Sequence, residues 1–338
     1  MFVMKRWQFW VGVLISIAFL WLVLRGLSIA EFLAVLPGIK FWWLIPGVVV
    51  YFIGVWVRTW RWHYLLRPIK SVSISKLFPV VCIGYAGNNI FPARAGELLR
   101  AVVLKRNEEI PVSSSLATII VERVFDGVVM LAFVFLNLRE LTGHTGSSGF
   151  VGNIQTLALV GTAAFIGALT LFLLAAMFPD KAQTAAELFS RWFIPARFRG
   201  KVLGFTERFL GGLEALRSPK DVLMVFVTSV IVWLLETAKY WFVMHAFPFE
   251  VSFFALMLMN GIVNLATTIP SAPGYVGTFD APGIAVLQSY GVEKAVAVAY
   301  TLVLHAALWF PITALGLYYM AREGISWGQD MDQLRAEA

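Results

Sequence analysis

The sequence predicts an all-α integral membrane protein, and three observations carry that prediction. The 338-residue chain is 59% hydrophobic and only 14% charged, against about 45–50% and about 25% in ordinary soluble domains. Its mean hydropathy is +0.77. Its apolar runs are long rather than alternating, which fits helices and not a transmembrane β-barrel. A soluble globule cannot hide so much apolar surface. Glycine follows no fixed period and Cys82 is the only cysteine, so collagen and disulfide scaffolds are excluded. The net charge of +7 reads as basic cytoplasmic loops facing anionic headgroups, not as a nucleic-acid surface.

The first apolar run covers about Trp7 to Leu24 and is too long for a signal-peptide core. Further spans are predicted at about Phe41–Val57, Ser113–Leu136, Ile154–Phe178, Val222–Met244 and Ala295–Met320, each near the roughly 20 residues a crossing needs. Trp7, Trp42, Trp43, Trp60, Trp62 and Trp327 fall at run ends, where an aromatic belt is expected. Two shorter apolar segments, about Ser75–Phe91 and Phe253–Ile269, each end in a Pro/Gly-rich stretch with ionisable groups. Broken helices at membrane depth persist only where protein buries them or a wet cavity receives them. Both therefore read as re-entrant helical hairpins. With six crossings and cytoplasmic termini, 21 Lys and Arg lie inside and 4 outside, as the positive-inside rule expects. Counting both hairpins as full crossings gives an eight-span alternative.

The layout repeats. Span, hairpin, span occurs at about 41–136 and again at about 222–320, inside one polytopic domain covering 1–338. The single crossing between the units inverts the second, which is a transporter plan. Between 197 and 217, Val202, Phe205, Phe209, Leu213 and Leu216 recur at helical spacing among arginines and a lysine. This is either a basic helix on the cytoplasmic leaflet or a solvated linker helix.

Charge inside a bilayer costs at least about 2.5–3.5 kcal/mol per residue, so interior charges need reasons. Glu122, Arg123 and Asp126 share the third span. Arg123 reaches Asp126 at i,i+3, and the carboxylate left over can pair with Arg94 or Arg100 or stay protonated. The group serves either as an interhelical lock or directly in transport. Glu236 and Lys239 neutralise each other at i,i+3 and read as structural. His305 reads as a hydrogen-bonded core residue, with a proton relay as the alternative.

The first hairpin carries the densest chemistry: Asn88, Asn89, Pro92, Arg94, Gly96, Glu97 and Arg100. Pro92 and Gly96 break the helix, and a helix restarting near Gly96 presents its positive end to the break. Arg94 and Arg100 add forked donors suited to phosphate. The competing reading is a packing turn capped by Arg and Glu. The second hairpin repeats the backbone chemistry with Pro270, Pro273, Gly274 and Gly277, but offers Asp280 and no arginine. No Walker motif, H-E-x-x-H, Cys/His cluster or G-x-S-x-G occurs, so neither metal nor cofactor is expected.

The run Asn88-Asn89-Ile90-Phe91-Pro92-Ala93-Arg94-Ala95-Gly96-Glu97, with Glu122-Arg123-Val124-Phe125-Asp126 and Pro273-Gly274-Tyr275-Val276-Gly277-Thr278-Phe279-Asp280, resembles a known family. It is similar to the membrane domain of lysylphosphatidylglycerol synthases, also found alone as flippase-like inner-membrane proteins. The resemblance covers about residues 5–325. Asp280 departs from it, since glutamate is commoner there. The resemblance implies translocation of a lipid between leaflets of an inner membrane. It argues against lipid aminoacylation, whose soluble domain would follow this region. The function expected is thus a flippase or scramblase for an amphiphile with an anionic, phosphate-bearing headgroup. The substrate-contacting residues expected are Asn88, Asn89, Arg94, Gly96, Glu97, Arg100, Glu122, Arg123, Asp126, Pro273, Gly274, Gly277 and Asp280. The alternative is a membrane enzyme or accessory subunit of envelope-lipid or glycolipid synthesis. Membrane lipids are the expected partners. A partner glycosyltransferase or lipid-modifying enzyme and a homo-oligomer are both compatible with this reading, and nucleic acid is not expected.

Overall fold

The computed structural model describes residues 7–25, 28–91, 94–145, 150–269 and 271–324. Pro92, Ala93, Pro270 and Trp327 lie outside the described residues, as does the side chain of Trp7. Thirteen α-helices follow in order: α1 Trp7–Leu24, α2 Ile29–Val35, α3 Leu44–Leu66, α4 Ile74–Ile90, α5 Ala95–Glu108, α6 Val112–Thr145 and α7 Phe150–Met177, then α8 Pro179–Phe193, α9 Ala196–Gly212, α10 Pro219–Met244, α11 Phe253–Ala266, α12 Asp280–Ser289 and α13 Lys294–Arg322. No strand occurs among the described residues. Among the described residues, four segments are long and apolar enough to cross a membrane: Phe41–Leu66, Leu159–Met177, Pro219–Met244 and Lys294–Arg322.

The surface is what a bilayer requires. Trp42, Ile45, Val49, Ile53 and Trp56 of the Phe41–Leu66 segment are all exposed and recur every three or four residues. That spacing makes one outward stripe of a helix. In water such a stripe would be an aggregation site. Against lipid it needs no partner.

Both short segments form helix–break–helix hairpins. α4 packs on α5, and α11 on α12. At 1.5 Å per residue the longest arm, α4 with 17 residues, spans about 26 Å, short of the roughly 30 Å hydrocarbon core. The α4–α5 approach depends on Gly96. A Cβ there would lie 1.9 Å from the Gly84 carbonyl oxygen and 2.4 Å from the Asn88 nitrogen. Gly96 therefore packs the hairpin shut.

The centre is an antiparallel pair, α3 with α10. Gly47 faces Val243, Gly54 faces Leu235, and Arg61 bonds Ser229 at 2.7 Å. Around it, α4 packs on α13 and α6 packs on α11. Gly316 makes the α4–α13 approach, because a Cβ there would sit 2.4 Å from the Cys82 carbonyl. One apolar core is built mainly from α3 to α6 and a second from α10 to α13.

Three expectations are corrected. The second span does not end at Val57, because α3 runs on to Leu66. Arg58 and Arg61 are then interior residues, not loop residues. With Arg94 and Arg100 also at the interior, the count expected under the six-crossing layout becomes 17 inside against 4 outside. Trp62 is fully buried and belongs to the core, not to the belt. The amphipathic segment is longer than 197–217. It begins in α8, whose Leu188, Phe189, Trp192 and Phe193 are exposed beside Arg191, and continues through α9, which packs on α6.

Gly96→Ala is expected to lower the melting temperature in detergent, because forced overpacking typically costs about 1–3 kcal/mol or more. Gly167→Ala, at a helical site with nothing within 4 Å, is expected to leave stability unchanged or raise it by up to about 1 kcal/mol. Thermal unfolding of the two variants side by side checks this.

Candidate functional site

Asp126 of α6 is 1% exposed and collects positive charge from three directions. Arg61 of α3 holds it bidentately, at 2.6 and 3.3 Å. Arg58 lies at 3.5 Å and Arg123 at 3.2 Å, and the Trp233 indole N–H donates to it at 2.9 Å. Glu122, one helical turn earlier, takes Arg100 of α5 at 2.6 Å and Arg61 at 3.4 Å. Arg58 continues the chain to Glu236 of α10 at 3.2 Å, and Glu236 pairs with Lys239. Carboxylates desolvated to this degree persist only when paired.

The pairs cross helices because of spacing. Arg58 and Arg61 lie at i,i+3 on α3, and Glu236 and Lys239 at i,i+3 on the antiparallel α10. Their faces therefore meet. Nothing marked Arg58 and Arg61 while the span ended at Val57. The usable signal was the continuing helical face Val55, Arg58, Trp62, Leu65, whose members are all buried.

The two hairpin tips meet above this network. Arg94 donates to the Thr267 carbonyl at 3.2 Å and lies 5.8 Å from the Tyr275 ring centre. Its backbone is left-handed, φ 53°, an uncommon state for a residue with a Cβ, which directs the side chain across the gap. Gly274, φ +73°, brings the second tip against Trp309 and the Asn89 carbonyl. A cavity of 150 Å³ opens between the tips, walled by Asn88, Asn89, Arg94, Glu97, Arg123, Gly274, Tyr275 and His305, with Arg58, Glu236 and Lys239. A smaller one beside it reaches Gly96, Arg100 and Glu122 and shares Arg58, Asn88, Glu97 and Arg123.

Six cations (Arg58, Arg61, Arg94, Arg100, Arg123 and Lys239) thus meet four carboxylates (Glu97, Glu122, Asp126 and Glu236). Two positive charges are in excess before Asp280 and His305 are counted. Aromatic faces take up part of that excess. Arg100 lies 3.6 Å from the Trp62 ring centre, Lys239 4.4 Å from Tyr51 and Arg58 4.9 Å from Trp233. The Nε–H donors of Arg58, Arg100 and Arg123 and the Oδ1 acceptor of Asn88 have no hydrogen-bond partner among the described residues. The site offers charge and donors to an anion of phosphate size. No cluster of three or more potential metal ligands occurs among the described residues.

The sequence-derived residues divide into groups. Asn88, Arg94, Glu97 and Arg123 face the larger cavity directly. Arg100 and Glu122 line the smaller one, and Asp126 joins through its ion pairs. Asn89 also lines the larger cavity, but its amide is used by Thr313 at 2.8 Å. Gly96 packs the first hairpin and also borders the smaller cavity. Pro273 starts the short 3-10 turn Pro273–Tyr275, and Gly277, φ +82°, leaves room for Ser16 of α1. Asp280 is buried behind His305 and bonds it at 2.8 Å.

The chain matches the family described as the lysylphosphatidylglycerol synthase TM region over residues 9–316. It is 24% identical to a UPF0104 membrane protein of Methanothermobacter thermautotrophicus, over 81% of this chain and 83% of that one. It is 26% identical to a UPF0104 membrane protein of Pyrococcus horikoshii, over 90% and 93%. It is also 27% identical to the glycosyltransferase AglD of Haloferax volcanii, over 80% of this chain but only 47% of that protein. No solved structure matches.

Removing one partner of a fully buried pair costs about 3–5 kcal/mol. Arg61→Met is therefore expected to lose that much stability. Arg94→Met, at the half-buried rim, is expected to lose less than about 1 kcal/mol. Denaturant titration in detergent measures both.

Proposed function

The chain belongs to the lysylphosphatidylglycerol synthase transmembrane-region family, and we propose that it moves a lipid with an anionic, phosphate-bearing headgroup between membrane leaflets. The observation that carries this reading is the cavity between the hairpin tips, with its excess of two cations and the Nε–H donors of Arg58 and Arg123 that make no hydrogen bond among the described residues. Arginine forks suit phosphate oxygens. The headgroup would sit against Arg94, Arg123 and Asn88 while its acyl chains stay in lipid, so only the polar head needs a protein path.

The helix pairings support an inverted repeat. Exchanging α3–α6 with α10–α13 maps α3·α10 onto itself, α4·α13 onto α11·α6, and α5·α6 onto α12·α13. Because α3 and α10 are antiparallel, a two-fold relating them must lie across the helix axes. In a bilayer that axis is in the membrane plane, the plan of alternating-access transporters. In this reading α4–α5 and α11–α12 enter from opposite sides. The protein is a multi-pass membrane protein with one polytopic domain, six crossings and cytoplasmic termini in an inner membrane. Lipids are its partners.

One observation favours a second reading. A relative matched over about half its length is named a glycosyltransferase, so the domain would serve glycolipid assembly beside a partner enzyme. Under that reading, headgroup transfer by the purified chain is absent.

Arg94→Ala is expected to slow leaflet transfer of fluorescent phosphatidylglycerol in proteoliposomes by about 10- to 100-fold, since a charge-assisted bond is worth about 1.5–3 kcal/mol. Membrane insertion should be unchanged. Equal transfer rates for wild type and variant overturn the assignment.

A further inference from the structure

His305 of α13 holds the second hairpin's break from both ends. Its Nε2 lies 2.7 Å from the Gly274 carbonyl oxygen and its Nδ1 lies 2.8 Å from Asp280 Oδ1. A carbonyl oxygen only accepts, so Nε2 carries a hydrogen. The Nδ1–Oδ1 contact needs a second one. If it sits on nitrogen, the pair is imidazolium with carboxylate. If it sits on oxygen, the pair is imidazole with carboxylic acid. Both arrangements have the same proton count, and the pair is formally neutral. A neutral imidazole beside a bare carboxylate has one hydrogen for two acceptors and cannot make both contacts. The other carboxyl oxygen, Oδ2, is occupied by the Gly277 N–H at 2.8 Å.

We propose that the His305–Asp280 pair is a proton-binding site that takes up one proton together with the anionic headgroup. The role in coupling rests on the transporter reading. The proton site itself rests on the geometry of the two hydrogen bonds. His305 lines the cavity, while Asp280 is 1% exposed behind it. Protons therefore reach the pair through the imidazole.

The surroundings fix the sign of the coupling. Across the cavity the charged groups are Arg58 of α3, Arg94 and Glu97 of the first hairpin, Arg123 of α6, and Glu236 and Lys239 of α10. The phenols of Tyr51, Tyr85 and Tyr275 also line it. From α10 the Tyr240 ring packs on Phe279, which in turn lies tilted against His305 with ring centres 4.5 Å apart. α12 contributes Asp280 alone. A phosphate entering this space opposes a net −1 on the pair and favours its neutral form. By linkage, protonation then favours headgroup binding by the same factor. The proton comes from water when the headgroup enters and returns to water when it leaves.

Loss of the proton also has a mechanical result. Either the Gly274 carbonyl or Asp280 Oδ1 then faces a lone pair. Gly274 is the residue that seats the second tip on Trp309 and the first hairpin. Deprotonation thus unpins the junction between the tips.

Transfer of fluorescent phosphatidylglycerol is measured in proteoliposomes from about pH 5 to about pH 9. The wild-type rate is expected to fall about tenfold per pH unit once the pair deprotonates, as for one required proton. His305→Gln keeps a donor for Gly274 without a titrating ring and is expected to flatten the profile to within about twofold. Asp280→Asn is expected to displace it. Separately, the full chain labelled with ¹³C-histidine is titrated by NMR in nanodiscs of phosphatidylcholine and of phosphatidylglycerol. The His305 resonance is identified by its loss in His305→Gln. At equal pH its protonated signal is expected to gain more on passing from phosphatidylcholine to phosphatidylglycerol than the signals of the other histidines do, since an anionic surface concentrates protons for all of them. A wild-type pH profile retained in His305→Gln, or a gain no larger than that of the other histidines, overturns the proposal. A chain that moves no lipid at any pH sinks the transporter reading instead, and the NMR shift alone then decides the proton site.

Discussion

The two-pronged bond between Arg61 and Asp126 is the contact on which the interior depends. Both groups are out of reach of solvent, and neither can stay charged alone at that depth. The bond ties α3 to α6, Arg61 extends it to Ser229 on α10, and Glu122 extends it to α5 through Arg100. Four helices from both halves of the chain are thereby fixed in register. An apolar seam in lipid would hold them less firmly, since helices gain little hydrophobic drive from leaving lipid for one another.

Above that anchored layer the accounting of charge changes. Deep in the network each carboxylate is surrounded by cations. Nearer the tips, cations outnumber carboxylates, and indole and phenol faces do part of the work a counter-ion would do. A ring face attracts a cation without neutralising it. The excess charge is held in place yet remains available to an incoming anion, whereas a carboxylate in the same position would cancel it.

Much of this architecture was readable because the bilayer imposes simple rules. Apolar run length marked α1, α7, α10 and α13. Proline and glycine beside ionisable groups marked both hairpins, and the cavity lies between their tips. Arg58 and Arg61 escaped notice because a short apolar window ends at the first charge. A helix does not end there if that charge has a partner, and the partners, Glu122 and Asp126 on α6 and Ser229 and Glu236 on α10, are far away in the chain. Trp62 was misplaced for the same reason. An aromatic at the end of an apolar run looks interfacial unless the run continues. The motif places Gly96 among the substrate residues, and the space a Cβ would need adds a packing role that the motif does not reveal. Such distances are set by the tertiary approach of α4 to α5 and leave no periodic trace in the chain.

The bond from Arg94 to the Thr267 carbonyl has an unequal quality. One tip contributes a side chain and the other contributes only main chain. Every residue type at position 267 supplies that carbonyl, so this one bond is insensitive to side-chain replacement at 267 and wholly sensitive to it at 94. Position 267 is free to vary while keeping its half of the contact, provided the backbone holds the same path, which Gly274 with its left-handed φ helps to set. The two halves, similar in outline, are therefore under different chemical constraints: one must keep a residue, the other must keep a shape.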